Sequence, residues 1–183
     1  IYIRGQHADY DDWARLGATG WGYRDVLPIF KQSERYAGGA NEYHGDRGEL
    51  HVSDLRNNHP LCAAWLRAGA QAGLPSSPDF NGAQDSGLGS YQLTLRGHWR
   101  DSAATAFLRP AQSRPNLTVL TGAHVTRLLI ERGVCRGVTW VQQGQVMRAS
   151  ATGEVILAAG ALQSPHLLQL SGLGPARLVQ KHQ

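Results

Sequence analysis

Three short runs, Val125 to Glu131, Val134 to Gln142 and Gln145 to Ser150, are separated only by Arg132-Gly133 and Gln143-Gly144. Two-residue turns ending in glycine join antiparallel neighbours, so the stretch predicts a three-stranded meander. Leu117-Thr-Val-Leu-Thr121 before it reads as a short apolar strand. Glu154-Val-Ile-Leu-Ala-Ala159 after it is apolar along its length, as strands buried on both faces are. Gly160 follows at the carboxyl end of that strand, and Ser164 is expected to begin a helix through Leu167, Leu168 and Leu170.

The amino-terminal half reads differently. Asp9 to Leu16 predicts a short helix capped by Asp9 and ended by Gly17. A second helix is expected through Val26, Leu27, Phe30 and Glu34, with Pro28 early enough to be tolerated. Glu49 to Ser53 is a candidate strand. His59 to Gly73 is the clearest helix, with Leu61, Trp65, Ala68 and Ala72 on one face. Asp79 to Gly89 reads as loop and Ser90 to Leu95 as a strand. Asp101 then caps a helix expected to end at Arg109-Pro110. The fold class this predicts is α/β, or mixed α+β. A meander inserted before a buried strand is unusual in simple nucleotide folds, but suits a large flavoprotein in which it replaces one crossover helix. A glycine there lets a bulky ligand approach the backbone. Tight packing of strand against helix explains the same glycine equally well.

Composition narrows the function classes. Over 183 residues, 42% hydrophobic and 17% charged, the chain is an ordinary globular mixture. Its longest apolar run is strand-sized, too short for a membrane-spanning helix, and no signal-peptide pattern is visible. The net charge of +4 invites a nucleic-acid reading. However, the basic residues, all but Lys31 and Lys181 arginines, are scattered among acids, which favours a solvated mixed surface over a phosphate-binding footprint. Cys62 and Cys135 are too few for a disulfide framework and lack Cys-x-x-Cys spacing. They are expected to be small buried apolar residues in a reduced, cytoplasmic-type setting. The chain opens on Ile1 and ends within an apparent helix, so a piece of a longer protein is expected.

Catalytic templates are absent. Around Ser171 the frame Gln169-Leu-Ser-Gly-Leu lacks the first glycine of a nucleophile elbow, and there is no P-loop. Gly87-Leu-Gly-Ser-Tyr-Gln92 and Gly172-Leu-Gly-Pro-Ala-Arg177 both miss the third glycine of a dinucleotide fingerprint and read as turns. The eight histidines show no metal-ligand spacing, so no metal site is expected. Surface or hydrogen-bonded histidines are expected instead.

Gly160-Ala-Leu-Gln-Ser-Pro-His-Leu-Leu-Gln-Leu-Ser-Gly-Leu-Gly174 resembles the second signature of the glucose–methanol–choline (GMC) flavin oxidoreductases. Tyr2-Ile-Arg-Gly5 resembles the end of the first. Asp9-Tyr-Asp-Asp-Trp13, Gly20-Trp-Gly-Tyr23, Leu27-Pro28, Ser33-Glu34, Tyr43-His-Gly45, Arg100-Asp-Ser-Ala103, Arg114-Pro-Asn-Leu117 and Glu154-Val-Ile-Leu157 follow in family order. The choline-dehydrogenase-like branch looks nearest. The resemblance implies part of a Rossmann-like FAD-binding domain, carrying the meander, and part of a substrate-binding domain. Residues 1–35 and 98–163 would belong to the FAD-binding part, and 36–97 and 164–183 to the substrate part. FAD is the implied cofactor, a small-molecule alcohol the implied substrate, and hydride transfer from alcohol to flavin the implied reaction. The electron acceptor is left open. Val125 matches the family valine whose backbone meets the adenine. Ala159 and Gly160 would let the cofactor approach, and Ile1 would lie beside the flavin ring. The family's opening glycine fingerprint and carboxyl-terminal catalytic histidine have no counterpart here, so no catalytic residue is assigned, and His98 and His166 are expected to be structural or surface residues. The rival readings are a non-catalytic truncated remnant serving as an interaction module, and a basic nucleic-acid binder.

Overall fold

The computed structural model describes every residue except 56–58, 85, 182 and 183. It falls into two compact units, Ile1–Leu117 and the chain from Thr118 onward. Helices and sheets occur in both, in keeping with the mixed α/β class. Among the described residues no helix is long and apolar enough to cross a membrane.

The first unit opens with α1 (His7–Arg15) and α2 (Tyr23–Ser33). Gln6, not Asp9, is the N-cap of α1; Asp9 sits in its first turn, where its carboxylate accepts the Gln6 N–H at 2.8 Å. That is the acid's role in a capping box, three residues inside the helix. Tyr10 is buried, with its ring against Trp13 and Phe30 and its hydroxyl accepting the Gly5 N–H. Pro28 lies deeper than the first turn of α2. It and Arg24, whose carbonyl it leaves free, are both exposed, so water can take that carbonyl. Glu34, expected in the helix, instead starts β1 (Glu34–Tyr36).

β1 runs parallel to β2 (Leu50–Ser53), which pairs antiparallel with β3 (Leu93–Arg96). A two-residue strand missed in the sequence, β4 (Trp99–Arg100), closes a hairpin with β3 through Gly97-His98. The amino-terminal segment joins by a bridge from Tyr2 to Gln92. α3 (Pro60–Gln71) starts as expected, with the His59 ring accepting the Leu61 N–H. Its apolar face is bare, however: Leu61 is 70% and Trp65 71% exposed. Cys62 on the same helix is exposed as well, against expectation, because it lies on the bare side of α3, while Gly69 on another side approaches Leu88.

Asp101 does not cap the next helix. Ser102 and Thr105 exchange N–H to hydroxyl bonds there, while Asp101 is turned toward β2. A π-helical stretch (Ala104–Leu108) leads into α4 (Arg109–Ala111), so the helix runs through Pro110 instead of stopping at it. A π turn widens the ladder just where a proline cannot donate.

The second unit is built on the expected meander: β5 (His124–Glu131), β6 (Val134–Gln142) and β7 (Gln145–Ser150), in that spatial order. Both turns carry positive φ at both central residues (Arg132 51°, Gly133 78°; Gln143 51°, Gly144 77°), the type I′ geometry that matches strand twist. Leu128 and Trp140 form its buried centre with Leu167 of α5 (Gly160–Leu170). Ser171 Oγ bonds the Leu167 carbonyl and accepts the Leu128 N–H at 2.8 Å, fastening the end of α5 to the outer edge of β5. A last helix, α6 (Ala176–Lys181), follows.

Two expected strands are corrected. Leu117 to Thr121 and Glu154 to Ala159 carry no strand pairing, and Ile156, expected to be buried, is 86% exposed. A strand exists only where a neighbour takes its backbone groups. Among the described residues neither segment has a strand partner. α5 also begins at Gly160, not Ser164, whose hydroxyl instead accepts the Ala159 N–H.

Candidate functional site

The residues expected to meet the cofactor lie in both units. Ala159 and Gly160 stand together, exposed, at the start of α5. Gly160 has φ +86°, and a side chain there would meet nothing within 4 Å. Its glycine is therefore required by backbone conformation, and the space before it is open. The α5 amino end has no side-chain cap, so its first-turn N–H groups face outward. Val125 is 38% exposed on β5, paired with Trp140 immediately before a register shift. Because β5 is an edge strand, part of its backbone points away from β6. Ile1, in the first unit, is 76% exposed. Open space, free backbone donors and small side chains fit a cofactor met by main chain instead of by charged side chains. An open cavity of about 800 Å³ in the second unit, edged by Arg127, His166 and Gln169, contains none of these residues. His98 and His166 are both exposed, as expected.

A second cluster, in the first unit, was not foreseen. His44 is fully buried. Its Nδ1 lies 2.7 Å from Glu34 Oε1 and its Nε2 2.8 Å from Asp79 Oδ2. A neutral imidazole has one N–H and would set a lone pair against one of these carboxylates. The ring is therefore an imidazolium donating twice. Burial alone disfavours that charge, but the bonds to Asp79 and Glu34 outweigh it and raise the pKa from 6.5 to about 9. Glu34 also accepts from Arg4 Nη2 at 2.8 Å and from the Gly45 N–H. Burial works against the ionised form of both carboxylates. The bond from His44 is the largest opposing effect on each, and both pKa values end below the ordinary range. Two cations and two anions close the set.

His51 and Asp101 form a smaller pair. Asp101 Oδ2 takes the His51 N–H at 3.0 Å and lies 2.9 Å from its Nδ1, while Oδ1 accepts the Thr105 hydroxyl. Burial opposes the Asp101 charge, yet these bonds hold its pKa below the usual value. His44 and His51 are thus both carboxylate-bound. Among the described residues no group of His, Cys, Asp and Glu is arranged to hold a metal ion.

The whole chain matches known proteins. A family model described as GMC oxidoreductase matches residues 1–182, and the chain belongs to that family. Mitochondrial choline dehydrogenase of Mus musculus is 45% identical over 181 residues, covering 99% of this chain and 30% of that protein. Alcohol dehydrogenase [acceptor] of Pseudomonas putida is 40% identical over 185 residues, covering 100% and 34%. Pyridoxine 4-oxidase from Mesorbium loti superposes with a TM-score of 0.86 at 34% identity, over 98% of this chain and 36% of that one. An FAD-dependent oxidoreductase from Chaetomium thermophilum gives 0.84 at 28% identity, over 99% and 34%. The chain thus spans about a third of the length of the relatives it matches.

Proposed function

We propose that this chain is the middle part of an FAD-dependent oxidoreductase acting on the CH–OH group of a small alcohol, choline being the first candidate. The observation that carries the reading is the family match over residues 1–182. Bound FAD would supply the hydride acceptor, while a base outside this chain takes the alcohol proton and the substrate leaves as a carbonyl compound. The residues here orient and bind. Val125 would meet the adenine through its backbone, Ala159 and Gly160 would admit the cofactor at the open start of α5, and Ile1 would lie beside the flavin ring. Residues 1–35 and 98–163 would form the cofactor part, 36–97 and 164–183 the substrate part. The bare face of α3 and the unpaired segment at Glu154–Ala159 are what remains exposed when their partners lie in other segments. The two free cysteines suit a reducing, cytoplasmic compartment.

The full-length protein tests this. Purified with FAD and held without oxygen, it is expected to lose its visible flavin absorbance on addition of a primary alcohol such as choline. The isolated 183-residue chain, desalted, is expected to carry little FAD and to give no turnover with a dye acceptor. A full-length flavoprotein that no alcohol bleaches would overturn the alcohol-oxidising reading.

Val125 has its own test. Proline there removes one backbone N–H, so Val125→Pro is expected to weaken FAD binding by about 1–3 kcal/mol, whereas Val125→Ala changes it little. Titration of the full-length apoprotein reads the difference. Normal affinity in a folded proline variant rejects the placement. Gly160 is a poorer probe, because its positive φ makes any valine strained with or without cofactor.

A further inference from the structure

We infer that the Arg4–Glu34–His44–Asp79 cluster is a positioning unit for the opening segment of the chain, holding the backbone of Tyr2 and Arg4 and thereby aiming Ile1. The link to the flavin rests on the placement of Ile1 proposed above; the clamp itself rests on geometry.

Asp79 is the branching point. Its Oδ2 is held by His44 at 2.8 Å. Its Oδ1 accepts the Asn81 N–H at 2.9 Å and Gln92 Nε2 at 3.2 Å. Asn81 and Gln92 are locked to one another, Asn81 Nδ2 donating to Gln92 Oε1 at 2.7 Å. These two residues then hold the opening segment. The Arg4 N–H donates to Asn81 Oδ1 at 2.7 Å, the Tyr2 N–H to the Gln92 carbonyl at 2.6 Å, and Asn81 Nδ2 reaches the Tyr2 carbonyl at 3.3 Å. From the other side Glu34 holds the Arg4 guanidinium, which also donates to the Tyr43 carbonyl. Tyr2 and Arg4 are thus fixed from both sides of one buried imidazolium. Residues packed for cohesion alone do not require an ordered chain of side-chain bonds ending on the main chain of one segment.

The clamp depends on the His44 proton. The groups facing the ring are Glu34 and Asp79 at its nitrogens and Tyr36, stacked on it at 4.2 Å, with Arg4 and Tyr2 beyond Glu34. Glu34 and Asp79 stay ionised throughout the range in question, and burial carries the Tyr2 and Tyr36 hydroxyls up to about 12. His44 is the member of this set whose proton the closed cluster holds up to about pH 9 and which an exposed ring gives up near 6.5, so between those values opening releases a proton.

Amide hydrogen exchange of the full-length protein, read at the residues of this chain, tests the clamp. After correction for intrinsic exchange, protection of the Tyr2 and Arg4 amides is expected to fall about tenfold per pH unit between about pH 6.5 and 9, then level off. The Asp101 amide, bonded to the Thr94 carbonyl in the same unit, is expected to fall much less. Asp79→Asn keeps the shape and removes the charge. It is expected to move the His44 ring titration, followed by ¹⁵N NMR, to lower pH and to release Tyr2 and Arg4 already at pH 6.5. If Tyr2, Arg4 and Asp101 lose protection together, or none of them responds, the positioning role is wrong whatever the flavin does. The pH series needs no variant, so a misfolded Asp79→Asn leaves it intact. In the flavin-loaded full-length protein, Asp79→Asn is expected to displace the visible flavin band. Released amides with an unchanged band would overturn the Ile1 placement and, with it, the role toward the cofactor.

Discussion

Replacing His44 by leucine is expected to cost the first unit about 3–5 kcal/mol, the range for removing one partner from a buried ionic set. Leucine fills much of the space but removes one donor from Glu34 and one from Asp79. Arg4 and the Gly45 N–H remain on Glu34, and Asn81 and Gln92 on Asp79, so the loss stops short of a bare buried carboxylate. Against the 5–15 kcal/mol of a typical domain this is a large fraction. Urea unfolding at pH 6 measures it, followed by NMR signals of first-unit residues, because Trp13, Trp21, Trp65 and Trp99 are exposed and the buried Trp140 lies in the other unit.

The same variant separates charge from packing. His44 is raised in the fold from 6.5 to about 9. A raised folded value means stabilisation fully present below about pH 6.5 and lost as pH rises through about 9, amounting to about 3 kcal/mol across that window. Wild-type stability is expected to slope downward there, and His44→Leu to be nearly flat. A variant that loses less than about 1 kcal/mol, or keeps the wild-type slope, means the imidazolium is not the ion that closes this cluster.

The meander and the helices were legible because their signals are local. Arg132-Gly133 and Gln143-Gly144 name their own turn type, and His59-Pro60 at one end and Gly73 at the other frame α3. The runs at Leu117–Thr121 and Glu154–Ala159 were misread for the opposite reason. Apolar composition says that a segment seeks neighbours, and strand formation needs those neighbours to be present. The buried cluster was invisible for a third reason. Arg4, Glu34, His44 and Asp79 are far apart in sequence and carry no spacing that marks them as partners. Three of them did lie in blocks matched to the family, Tyr2-Ile-Arg-Gly5, Ser33-Glu34 and Tyr43-His-Gly45. Asp79 lay in a stretch read only as loop.

Gly45→Ala is expected to damage the first unit about as much as the loss of His44, by a different route. A Cβ at residue 45 would sit on the carbonyl of Lys31, in the last turn of α2. That obstacle is backbone, so no rotamer change relieves it, and either the helix end or the loop must move. Both are tied down. The Gly45 N–H donates to Glu34 Oε1, its carbonyl accepts the Tyr36 N–H at 2.8 Å, and Lys31 Nζ reaches back to the Asn41 and Glu42 carbonyls. Moving the loop also draws His44 away from Glu34. Overpacking ordinarily costs about 1–3 kcal/mol, and a clash that also opens a buried ionic set belongs at or above the top of that range. Gly153→Ala is the control, since a side chain there meets nothing within 4 Å and the residue needs no positive φ. It is expected to change stability by no more than about 0.5 kcal/mol. Denaturant unfolding of the two variants decides the matter. Equal midpoints would mean that the approach of residue 45 to α2 is looser than the structure has it, and the clamp on the opening segment would then lack its support.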